Sequence, residues 1–142
     1  MKKFLMGGCL LAICSSAQAI PNVGFTAKDN QDPIFIEKCD IYQNAQKDND
    51  IELLKTFVEK KWFEGDKAAK VEAMIVKWAK RRQKKLDKAG GYIVTEKRMS
   101  TKTQPDVSQV VLRWSNGKKF SASDGCVFIM DVNQNGWRIR MR

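Results

Sequence analysis

The chain closes on GWRIRMR, residues 136–142. Successive side chains of a strand point to opposite faces, so Trp137, Ile139 and Met141 share one face and Arg138, Arg140 and Arg142 the other. Three guanidiniums about 7 Å apart could engage phosphates or carboxylates. Arg113 and Lys97, on neighbouring predicted strands, would extend the row. The same alternation suits a solvated outer face, or an edge guarded against aggregation. A second cationic run, KWAKRRQKKLDK (residues 77–88), holds Arg81, Arg82, Lys84 and Lys85. It could be an anion-binding helix face, with charged heads reaching out from apolar stems, or the exposed side of an amphipathic helix. Trp62, Trp78 and Trp114 are candidates to line a ligand pocket. Each falls on an apolar face, where core packing is the default reading.

Other chemistry has little to work with. The chain has no histidine, which removes the usual general base near neutral pH and the commonest metal ligand. No glycine-rich phosphate loop and no zinc spacing occurs, so neither metal nor cofactor is expected. Asp48 and Asp50 read as helix-capping residues rather than as a catalytic dyad. A reaction run by Asp, Glu or Lys alone stays open.

The elements that must position these residues follow from the N-terminus onward. MKKFLMGGCLLAICSSAQA has a basic start, a short apolar run and an Ala17-Gln18-Ala19 cleavage pattern. It reads as a signal peptide, 1–19, and implies a periplasmic or secreted chain beginning at Ile20. Lipid anchoring through Cys14 is the alternative. The apolar run is too short to span a bilayer, and no later segment comes close. Cleavage leaves two cysteines, Cys39 and Cys126, which an oxidising compartment would join. Such a bridge would stabilise by about 4 to 5 kcal/mol in the chain-entropy model; two buried free thiols are the other reading.

Charge divides the chain. Residues 28–66 hold six Lys against ten Asp or Glu, net −4; residues 67–142 hold eighteen Lys or Arg against six acids, net +12. A basic half points to an anionic partner, either an envelope component or an acidic protein, or serves solubility alone. The absence of an RNP-like aromatic motif and the export signal argue against nucleic acid.

Residues 20–142 read as a single α+β domain. Residues 20–32 form an extended lead-in, 33–89 helices and 91–142 an antiparallel sheet. Asp32-Pro33 starts the first helix, 33–46. Asn49 with Glu52 makes a capping box for a second helix ending near Gly65, and Asp66 caps a third to about Lys88. Strands are predicted at 92–100, 107–115, 118–121, 126–132 and 137–141. Asn116-Gly117 is a hairpin turn setting Lys118–Ser121 against Leu112–Ser115. Ser123-Asp124-Gly125 is a predicted corner.

In that setting TFVEKKWFEGDKAAKVEAMI resembles the helix–Gly-Asp–helix stretch of small exported NTF2-like (cystatin-like) domains, bacterial domains of the DUF4878 type above all. NQNGWRIRMR resembles their closing strand. The resemblance covers roughly residues 50–142 and departs from the pattern in an extra early helix and the cysteine pair. It implies a cone of helices on a curved sheet, able to hold a small molecule. It implies no reaction, because this fold serves enzymes and binders alike. The leading expectation is an exported, non-enzymatic binding domain. An inhibitor or immunity-type protein and a small enzyme using a pocket carboxylate are the alternatives.

Overall fold

In the computed structural model, residues 24–88, 90, 93–117, 121–131 and 136–140 are described. The predicted leader with Cys14, Arg142 and Lys118–Phe120 lie outside them. Helices α1 (Ile34–Asp48), α2 (Ile51–Thr56) and α3 (Ala68–Lys88) precede strands β1 (Ile93–Met99), β2 (Val107–Ser115), β3 (Ser121–Asp131) and β4 (Gly136–Ile139). The four strands form one antiparallel sheet in sequence order. The architecture is α+β, helices packed on an antiparallel sheet, as the order of periods predicts.

Asp32 starts α1: its Oδ1 accepts the Ile34 N–H at 3.0 Å and its Oδ2 the Lys28 N–H at 2.8 Å. These two backbone donors hold its carboxyl below the ordinary aspartate range. Phe35, Cys39, Tyr42 and Ala45 then line the buried face at helical spacing. Asn49 ends α1 in the left-handed region, φ 57°, a conformation asparagine tolerates well. The N-cap of α2 is therefore Asp50, whose side chain accepts from the Leu53 N–H at 3.0 Å. The predicted Asn49–Glu52 capping box is not formed.

The second helix stops nine residues short of its predicted end. Phe57, Val58 and Glu59 are all buried, and three consecutive side chains cannot lie on one helix face. The chain straightens there instead. Short 3-10 turns at Lys60–Phe63 and Gly65–Lys67 lead into α3, with Gly65 at φ 61°. Asp66 lies inside the second turn rather than at the N-cap of α3.

In the sheet, β2 has its predicted bounds, but β3 runs unbroken through the predicted corner. Ser115 pairs with Ser121, Val110 with Cys126 and Leu112 with Asp124. A two-residue turn at Asn116-Gly117 would shift this register by three and put Cys126 and Phe128 on the wrong face. Burial of those side chains decides the register. Gly125 fits because a Cβ there would collide with the Val110 carbonyl oxygen.

The Cys39–Cys126 disulfide ties α1 to β3 across 87 residues. The lead-in joins the core as well: Phe25 bridges Trp137, and its ring packs edge-on against Phe35 and Phe128, each at 5.4 Å between centroids. No described helix is long and apolar enough to cross a membrane.

Candidate functional site

Alternation in β4 puts Trp137 and Ile139 on the core face, paired with Met130 and Phe128. Arg138 takes the other face, as predicted, but that face is covered. Arg138 is 1% exposed, its Nη1 donates to the Thr56 carbonyl at 3.1 Å, and Gly24 lies against its Nε. Burial lowers its pKa, while the nearby charges of Asp131 and Glu59 act to raise it. The expected open row of arginines is thus corrected: Arg138 is a buried structural cation, and of Arg138, Arg140 and Arg142 only Arg140 is described and exposed.

The other strand cations are engaged locally. Arg113 pairs with Glu96 at 3.1 Å and Lys97 with Asp40 at 2.6 Å. Trp62 is 38% exposed on a 3-10 turn, its Nε1 donating to Glu59 at 2.7 Å. It stands apart from the residues that line the clefts between helices and sheet described below. The early end of α2 is the reason.

Helix α3 does bring its basic residues to a cleft. Val71, Ile75, Ala79 and Arg82 form its inward stripe. Arg82 is consequently buried, ion-paired with Asp124 of β3, and stacked on the Trp114 ring with its guanidinium carbon 4.4 Å from the centroid. That position corrects its expected role as a surface anion site: its charge is already met by Asp124, and Trp114 is its platform. Lys84 faces a shallow groove of the α3 surface together with Lys77, Lys80 and Arg81.

Beside the Arg82–Asp124 pair opens a cleft of about 380 Å³ between α1, α3 and the β3–β4 edge. Its rim carries Arg81 and Lys85 from α3 and Arg140 beyond β4. None of the three makes an ion pair with a described residue. Trp78 supplies a half-buried aromatic wall. Tyr42, Gln43 and Gln46 of α1 form the buried inner side, and Gln46 Nε2 donates to the Tyr42 hydroxyl at 3.4 Å. Gln43 Nε2 faces the Cys126 sulfur at 3.8 Å, and Gln43 Oε1 is buried with no hydrogen-bond partner among the described residues. A second cleft of about 390 Å³, walled by Trp114, Val94 and Leu112, lies on the other side of Arg82; Gln43 and Arg82 border both. Among the described residues, no group of three or more His, Cys, Asp or Glu could hold a metal.

Trp78, Arg81, Lys85 and Arg140 thus meet in one place, which no reading of separate segments foresaw. Tyr42, Gln43, Gln46 and Asp124 are additions. The signal for the glutamines was present in α1, where two amides fall beside the apolar stripe of Cys39, Tyr42 and Ala45.

Burial pushes the Tyr42 hydroxyl up to about 12, with the Arg82 charge partly offsetting it. The folded state therefore holds this proton more tightly than the unfolded chain, whose phenol titrates near 10. Its contribution is complete below pH 10 and is lost as pH rises from 10 to 12, by roughly 2 to 3 kcal/mol. Thermal unfolding of wild type against Tyr42→Phe across that range should show the extra decline in wild type only. Parallel curves would contradict this protonation.

Comparison with known proteins agrees with the fold. A Campylobacter jejuni protein, provisionally named an NTF2-like transpeptidase, superposes in its crystal structure with a TM-score of 0.53. The two are 13% identical, and the match covers 71% of this chain and 92% of that one. No protein-family model matches the chain, and no curated protein matches it in sequence. At this identity the likeness establishes an NTF2-like fold and nothing about activity.

Proposed function

We propose that this chain is an exported, non-enzymatic NTF2-like binding domain that holds a small anionic ligand in the cleft between α1, α3 and the sheet. One observation carries the reading: Arg81, Lys85 and Arg140, from two distant segments, line one concave site without ion-pair partners among the described residues. Converging unneutralised cations beside a low-dielectric wall favour an anion there. The leader sequence and the disulfide support export.

Binding is favoured over catalysis by what the cleft offers. A transpeptidase activity, as the Campylobacter protein's name has it, calls for a nucleophile or a carboxylate free to move protons. The cleft carboxylate, Asp124, is bound to Arg82, and both Cys39 and Cys126 are in the disulfide.

The test uses protein recovered from cells expressing the full chain. Phenyl phosphate is titrated while the Trp78 indole N–H is followed by NMR. Wild type should show saturable shifts, weakened several-fold by raising salt from 50 to 500 mM. The variant Arg81→Gln/Lys85→Gln/Arg140→Gln should bind at least ~10-fold more weakly, since charge-assisted hydrogen bonds are the strong ones. Its melting temperature should stay within a few degrees of wild type, because all three side chains are exposed. Unchanged affinity in the variant would remove the cleft from the account.

A further inference from the structure

The rim of the cleft selects charge, and its inner side selects something else. Resting on the anion-binding reading above, we infer that the ligand is an acidic sugar: a hydroxyl-bearing ring with one carboxylate or phosphate, free or at the end of a glycan.

Three buried hydrogen-bonding side chains, Tyr42, Gln43 and Gln46, occupy one turn of α1 on the inner side. Gln43 is 6% exposed and its Oε1 has no described partner. A buried amide oxygen in that state favours a donor. The rim cations cannot be met by a donor, and Gln43 Oε1 cannot be met by an anion, so the ligand must present both kinds of group. A hydroxyl donates and accepts, which suits an amide oxygen beside an amide N–H and a phenol. A purely apolar anion would press against the glutamines and leave Gln43 Oε1 unpaired. One flat apolar surface, Trp78, lines the same cleft and can take the C–H face of a ring. A volume of about 380 Å³ is at the small end for small-molecule sites and suits one or two rings rather than a long polymer.

The test is a matched panel on protein from the full chain, again followed at the Trp78 indole. Glucuronate and cyclohexanecarboxylate share a six-membered ring and a carboxylate, and only the first has hydroxyls. Glucose has hydroxyls and no charge. Glucose 6-phosphate replaces carboxylate by phosphate and separates the two acid types. Glucuronate or glucose 6-phosphate should bind at least ~10-fold more tightly than both cyclohexanecarboxylate and glucose. Gln43→Leu should remove that preference, weakening the hydroxylated acids and tightening cyclohexanecarboxylate; should it fail to fold, the wild-type panel decides alone. Binding of both glucuronate and glucose 6-phosphate no tighter than that of cyclohexanecarboxylate would overturn the sugar assignment and leave the anion cleft standing. Failure of every panel member together with phenyl phosphate would overturn both.

Discussion

Changing Cys39 and Cys126 together to alanine is expected to lower stability by about 4 to 5 kcal/mol, the loop-closure value for cysteines 87 residues apart. For a chain of this length that is a fall in melting temperature of roughly 15 to 25 °C. The bridge joins α1 to the centre of β3, and so holds the helical layer against the sheet. Both sulfurs are in the core, where Cys39 is fully buried and Cys126 nearly so. Packing loss and loss of the bridge can be separated by the single variants. Either single change already breaks the bond, so each should cost nearly as much as the pair, a strongly non-additive cycle. Additive single effects, or a double variant melting within 5 °C of wild type, would mean that the bridge stabilises little. The same cleavage should loosen the cleft, because Gln43 sits against Cys126.

The second large effect is expected at Arg138. Its guanidinium is enclosed by the Thr56 carbonyl and the Gly24 backbone, within electrostatic reach of Asp131 and Glu59. Asp131 and Glu59 are themselves buried. Truncating Arg138 empties an enclosed site, strands the Thr56 carbonyl and withdraws a favourable charge from Asp131 and Glu59, which together cost about 3 kcal/mol. Arg138→Ala should therefore lower the urea midpoint sharply. Adding Asp131→Asn should recover part of the loss, since it removes a buried charge that Arg138 acts on. A change below 1 kcal/mol for Arg138→Ala would show that the face is open to water, as the alternation alone would allow. A binding study that neutralised Arg138 with Arg140 and Arg142 would confuse unfolding with loss of a site, so the cleft variant leaves Arg138 intact.

Much of the fold was legible because period and parity are local properties. The alternation of β4 placed Trp137 and Ile139 inward, the bounds of β2 followed from its apolar run, and two cysteines behind the expected leader allowed one pairing. The misreadings share one physical origin, contacts between segments far apart in sequence. Alternation assigns Arg138 to a face, but whether that face is covered depends on Thr56 and Gly24, more than eighty residues away. The hairpin register at Asn116-Gly117 follows turn chemistry only when burial agrees, and here Cys126 and Phe128 outweigh the turn. Helix α2 ends where Phe57, Val58 and Glu59 are all drawn inward, with the Phe57 carbonyl accepting the Ile139 N–H at 2.8 Å.

The site was half legible. Arg82 falls on the stripe of Val71, Ile75 and Ala79, so its burial could have been read from its angular position on α3. Seven cations in a twelve-residue run hid that position. The meeting of Arg140 with Arg81 and Lys85 has no local signature, because it depends on where β4 ends beneath α3.

The measurement that bears most directly on the proposed cleft is capture of its native ligand. Wild type and the Arg81→Gln/Lys85→Gln/Arg140→Gln variant are each incubated with an extract of the cell envelope at low salt, recovered, and their bound small molecules identified by mass spectrometry. The account predicts an anionic compound retained by wild type, released at 500 mM salt and absent from the variant. An equal yield from both proteins, or retention that survives high salt unchanged, would contradict it.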